Sequence, residues 1–229
     1  MRLIPSFSRN NLYQTRYTRL FYLLIFILIA SPFLTGTVGS TLISVVFLSA
    51  ILLMVSTFNL EKVVFWIYVA LADLAFGCKL MTVFGVFSEA NEFFTLFSLG
   101  IYSIFISLAI LLIGNRIFWS KRVNRDTITG GICIYLLLGA FGSLLYQIIF
   151  TFDPQSFSGN IETLQAGANF SHFLYFSFTT LTTLGYGDIV PHNQFAMVIA
   201  NLEAIVGQMY PAIFIARLVS LYTTEEIRD

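Results

Sequence analysis

TTLTTLGYGDIVP, residues 179–191, breaks with the chain around it. Gly185-Tyr186-Gly187 is a poor helix former, set in a sequence otherwise rich in residues suited to lipid. In hydrocarbon every backbone N–H and C=O must find a partner within the protein. Irregular backbone survives there only where protein buries it or where it lines a cavity. The stretch is therefore expected at an internal, wet surface of a membrane protein.

Composition supports that frame. The 229 residues are 57% hydrophobic and 10% charged, with 25 Phe and a mean hydropathy of +0.83. Soluble domains carry about 25% charged residues, so most of this surface does not face water and the class is an integral membrane protein. Lys+Arg and Asp+Glu are equal at 12 each, a balance that points to no nucleic-acid partner. Cys78 and Cys133 lie in apolar runs without ligand spacing and read as small buried hydrophobes. His172 and His192 stand singly on either side of the segment.

Six apolar runs, 20–38, 41–58, 63–86, 93–114, 129–151 and 194–222, approach the roughly 20 residues that cross a bilayer as a helix. The expected fold class is all-α, with six transmembrane helices. The first run resembles a signal peptide, but it is long, interrupted by Pro32 and followed at once by a second run, which favours a retained anchor. Arg2, Arg9, Arg16 and Arg19 precede it, and Arg116, Lys121, Arg122 and Arg125 lie between the fourth and fifth runs. By the excess of basic residues on the inner side, both termini are expected in the cytoplasm. The Gly-Tyr-Gly segment then falls on the outer side.

Between the fifth and sixth runs, FDPQSFSGNIETLQAGAN (152–169) reads as a polar surface loop. SHFLYFSFTTLT (171–182) is apolar and aromatic but too short to span, so a re-entrant helix is expected, capped by Asn169 or Ser171. Asn169-Phe170-Ser171 also matches a glycosylation sequon, although a site against the membrane favours capping.

Thr179 to Asp188 resembles the pore signature of the potassium-channel family, whose usual core is T-V-G-Y-G. The order of elements is similar to that of the family's pore: spanning helix, short re-entrant helix, filter, acid, inner helix. The resemblance is specific over residues 129–222 and architectural before that, where it suggests the bacterial-type six-transmembrane members. It implies a basic N-terminal segment (1–19), a peripheral four-helix domain (20–115), a cytoplasmic linker (116–128), a pore domain (129–222) and a short tail (223–229). It also implies a homotetramer in the bacterial inner membrane, because one chain supplies one wall of the pore. Partners are then copies of the chain, lipids and potassium ions, with no cofactor beyond K+.

The resemblance assigns roles by residue. Backbone carbonyls of Thr183, Leu184, Gly185 and Tyr186, with the Thr183 hydroxyl, would replace the water shell of K+, and Gly185 and Gly187 would supply unusual φ values. Thr179, Thr180 and Thr182 would either bond back to their own turn or form a polar cuff around the filter. Leu184 departs from the usual Val or Ile, placing a less stiff side chain behind the filter. Many relatives have a Trp where this chain has Tyr175 and Phe176, and Tyr175 is expected to donate to Asp188 in its place. Gly207 stands where relatives have a hinge glycine, Pro211 follows one turn later, and Gln208 would face the cavity.

Lone charges extend the list. Glu203 in the last run is expected against the pore helix near Thr179 to Thr182, hydrogen-bonded or protonated. Arg217 is expected to snorkel or to pair with Glu225, and Asp73 to make a polar contact within the first four helices. Gly139 and Ser143 form a small-residue face for close packing.

Residues 93–115 contain no Lys or Arg. One charge crossing the field is worth about 2.3 kcal/mol per 100 mV, so voltage gating of the usual kind is not expected. Only eight residues follow Leu221, and no ligand-binding domain is expected among them. The leading function is passive potassium conduction. A weakly selective monovalent cation channel and a silent regulatory subunit are the alternatives, and no convergent nucleophile, base and metal-ligand set suggests an enzyme.

Overall fold

The computed structural model describes residues 16–34, scattered helical positions between 39 and 49, and residues 62–83, 91–120, 123–159 and 170–226. In chain order the continuous elements are α1 (Arg16–Ala30), α2 (Lys62–Val83), α3 (Asn91–Phe118), α4 (Arg125–Phe152), β1 (Phe157–Gly159), α5 (Phe170–Leu181), β2 (Ile189–Pro191) and α6 (Gln194–Glu226). Most of the expected second span, 41–58, lies outside the described residues, as do the segment 1–15, the connection 84–90, Lys121, Arg122, the loop 160–169 and the tail 227–229.

Among the described residues, three helices are long and apolar enough to cross a membrane: Glu92–Phe118, Arg125–Phe152 and Gln194–Thr223. The first expected span, 20–38, is shorter than anticipated. α1 ends at Ala30, and the chain turns over Ser31, Pro32 and Phe33. Pro32 offers no N–H and disfavours helical geometry at Ser31. At 1.5 Å per residue α1 is only about 22 Å long.

α3 and α4 are longer than their apolar runs, so the expected linker 116–128 contracts to the few residues between Phe118 and Arg125. Asn124 accepts the Thr127 N–H at 2.7 Å and caps α4. At the end of α3, Arg116 occupies the last turn, where the helix dipole favours a cation. Arg217 of α6 donates to the Phe118 carbonyl at 3.2 Å. It thereby satisfies an orphan carbonyl of α3, while the side chain of Glu225, its other expected partner, lies outside the described residues. Asp73 stands at an exposed position of α2, and most of the second run, one of the four among which a polar partner was expected, lies outside the described residues.

α4 is the centre of the packing, touching α1, α3, α5 and α6. One core cluster joins Leu24 and Ile27 of α1, Ile106 and Ile113 of α3, and Cys133 and Leu137 of α4. Cys78 and Cys133 are free and buried. A second cluster is aromatic, with Phe157 edge-on to Tyr146, Phe173 and Phe176 at centroid distances of 5.4 to 5.6 Å, and Tyr146 edge-on to Phe176 at 4.8 Å.

Phe157 corrects the surface-loop reading of 152–169. It sits in β1, which pairs antiparallel with β2 in the register Phe157 with Pro191, Ser158 with Val190 and Gly159 with Ile189. Among the described residues the fold is therefore helical with one small ribbon, and Phe157 is buried. Ser171 likewise falls inside the first turn of α5 rather than at its cap.

Candidate functional site

α5 ends by folding its last turn onto itself. The Thr179 carbonyl accepts two backbone N–H groups, Leu184 at 2.8 Å and Gly185 at 3.1 Å, while Thr183 N donates to the Thr180 carbonyl at 2.9 Å. These bonds satisfy the orphan carbonyls of the helix end. They also set the point at which extended chain departs from α5.

From there the sign of φ alternates. Thr183, Gly185 and Gly187 have φ of +57°, +54° and +77°, and the residues between them do not share that hand. A β-branched residue in the left-handed region is uncommon, and such strain, of order 1–3 kcal/mol, gathers at functional sites. Alternating hands turn successive peptide units the same way, so that carbonyls can gather on one side and N–H groups on the other. Residues 182–188 are all exposed in the single chain, Leu184 at 55% and Tyr186 at 68%.

Side chains brace the segment at its C-terminal end. The Tyr175 hydroxyl donates to Asp188 Oδ2 at 2.8 Å, and Asp188 Oδ1 accepts the Ile189 N–H at 3.1 Å. The rings of Tyr175 and Tyr186 are stacked 6.4 Å apart at an interplanar angle of 5°. At its N-terminal end Gln208 Nε2 donates to Thr183 Oγ1 at 2.9 Å, and the Tyr135 hydroxyl donates to the Leu181 carbonyl at 3.3 Å.

The threonines bond to their own helix. Thr179 and Thr180 both donate to the Phe176 carbonyl, at 2.9 and 2.8 Å, and Thr182 to the Phe178 carbonyl at 2.6 Å. Of the two readings drawn from sequence, back-bonding is the arrangement within one chain.

Glu203 lies higher against α5 than expected. Its partners are Ser177 of α5 and Tyr146 of α4, each at 2.5 Å, rather than Thr179 to Thr182. Gly142 of α4 faces its carboxylate, so that a Cβ there would collide with Oε1. On the small-residue face both members are buried: Gly139 packs against the ring of Phe178 of α5, and Ser143 turns its hydroxyl back to the Ala140 carbonyl at 2.7 Å. Ser177, Tyr146 and Gly142 were not among the residues singled out by sequence. The available signal was Ser177 itself, a hydroxyl facing inward from an apolar helix.

Gly207 and Pro211 sit within one unbroken helix, α6. Pro211 withholds the N–H that would bond the carbonyl four residues back, which belongs to Gly207. Gly207 also packs against the end of α5, where any side chain would meet the Leu181 backbone. α6 is thus weakest in its own ladder at the position where it touches α5 most closely.

A family model described as an ion channel matches residues 130–224. No curated protein and no solved structure matches the chain. The matched range holds all but the first residues of α4, the ribbon, α5, the alternating segment and all but the last residues of α6, and it supports an ion channel built on apolar, membrane-spanning helices.

Proposed function

We propose that four copies of this chain surround an axis and conduct potassium ions selectively and passively, with residues 183–187 forming the filter. The observation that carries this reading is the alternation of φ sign across Thr183 to Gly187 on a segment exposed throughout. Such backbone suits a ring of carbonyls that replaces the hydration shell of a dehydrated cation. The Thr183 hydroxyl adds a layer on the cavity side, and the C-terminal end of α5 points its negative dipole toward the same region.

Further support comes from α6. Leu202, Ile205, Met209 and Ile213 are exposed in the single chain, an apolar surface suited to lipid, to neighbouring copies or to a cavity wall. Gly207 and Pro211 are the proposed bending points of a gate. α3 has no Lys or Arg before Arg116, so the channel is proposed not to use a charged voltage sensor. Both termini are proposed to lie on the cytoplasmic side of a cell membrane.

The test is current through reconstituted protein with potassium on one side and sodium on the other. A reversal potential near the potassium limit is expected. A reversal near zero replaces the reading with a weakly selective channel, for which the exposed Leu184 side chain is the specific reason. Absence of rubidium flux through the chain alone indicates a silent subunit.

A further inference from the structure

Glu203 sits where three helices meet. It is 9% exposed, while Tyr146 of α4 and Ser177 of α5 are fully buried at 0%. Its Oε2 accepts the Tyr146 hydroxyl at 2.5 Å. Its Oε1 lies 2.5 Å from Ser177 Oγ, which in turn lies 2.6 Å from the Gly139 carbonyl of α4. The space exists because Gly142 has no side chain, since a Cβ there would also stand 2.7 Å from Ser177 Oγ.

Counting protons gives these contacts a direction. Ser177 has one hydroxyl proton, and a carbonyl can only accept. Two oxygens 2.6 Å apart with no proton between them repel, so the Ser177 proton points at Gly139. The 2.5 Å contact to Oε1 then needs a second proton. Tyr146 has committed its proton to Oε2, which leaves the carboxyl group itself as the source.

We propose that Glu203 is a neutral carboxylic acid at pH 7 and a positioning residue for α5. It donates to Ser177, Ser177 donates to Gly139 and Tyr146 donates to Glu203, so that the bonds run in one direction from α4 to α6 to α5 and back to α4. The arrangement satisfies every member of a buried network. An ionised carboxylate here would face hydroxyls and no cation: among the described residues, the titratable side chains presented to it are the phenols of Tyr146 and Tyr135. A buried charge without a paired cation is costly. α5 is the helix from which residues 183–187 depart, so the ring of bonds fixes the height and rotation of that departure.

Infrared difference spectra of the full-length protein in vesicles, wild type against Glu203→Gln at pH 7, test the proposal. The carbonyl stretch of a protonated carboxyl is expected in wild type and lost in the variant. The glutamine side chain of that variant can donate an amide N–H to Ser177 and accept from Tyr146, so thermal stability and rubidium flux are expected within twofold of wild type. Glu203→Ala, which can do neither, is expected to lose both. If no protonated-carboxyl band separates wild type from Glu203→Gln, the proposal is overturned. Tyr146→Phe serves as a second variant and is expected to shift the same band by removing the bond to Oε2. A band that does not move belongs to another carboxyl and overturns the assignment. The flux arm rests on the channel reading and the spectrum does not, so a band present without flux defeats only that reading.

Discussion

The Cα of Gly207 lies against the carbonyl of Leu181 so closely that a Cβ would overlap the oxygen and fall 2.7 Å from the carbon. Backbone meets backbone there, with no flexible side chain to yield. The same Leu181 oxygen accepts the Tyr135 hydroxyl at 3.3 Å, so α4 and α6 converge on the last residue of α5.

Gly207→Ala is therefore expected to destabilise the protein by about 3 kcal/mol or more, at the upper end of overpacking costs. Thermal unfolding in detergent measures it. A hinge that needed only flexibility would tolerate alanine with little loss of stability, so an unchanged unfolding midpoint would sink the packing account.

Tyr175→Phe removes one hydrogen bond to a carboxylate and leaves the ring stack with Tyr186 in place. At a partly exposed site the expected loss is about 1 kcal/mol. In single-channel recordings this reads as a several-fold shorter open lifetime with folding unimpaired. Open times equal to wild type would show that the bond does not hold the C-terminal end of the proposed filter.

Gln208→Leu keeps the bulk of an exposed side chain and deletes its bond to the Thr183 hydroxyl. Stability is expected to change by less than about 0.5 kcal/mol, as for most exposed positions. If residues 183–187 form the proposed filter, block by internal barium is expected to weaken several-fold because the Thr183 oxygen loses its orienting partner. Gln208→Met, which is neutral and cannot donate, is expected to behave like the leucine variant. Unaltered block in both would remove Gln208 from the site.

Gly142→Ala places a methyl group where the Glu203 carboxyl now sits. Overpacking of this kind costs about 1–3 kcal/mol. Because the two positions share one space, Gly142→Ala combined with Glu203→Ala is expected to cost less than the sum of the single changes, with a coupling of about 1 kcal/mol or more. Strict additivity, measured by a double-mutant cycle of unfolding midpoints, would contradict the shared pocket.

Periodicity and composition were enough to find the long apolar helices, because a span of lipid demands an uninterrupted run that local sequence displays. The Gly-Tyr-Gly segment stood out for the same reason: glycines among spanning residues signal backbone that leaves the helix. The pairing of Tyr175 with Asp188 was suggested by the family resemblance, in whose relatives a Trp stands in this region and steadies the acid, and the bond is present here.

Only the tertiary structure decided which residues meet across helices. Phe157 looked like part of a polar loop until β1 paired with β2 and turned its ring into the aromatic cluster. Gly142, Ser177 and Tyr146 carry no local signature, because their importance lies in facing one carboxyl from two other helices. Gly207 was legible as a special position, yet the reason, a neighbouring backbone within touching distance, exists only once α6 crosses the end of α5. Local sequence sets where backbone bonds can close within an element, and contact between elements depends on the rotation and height of each helix, which packing alone settles.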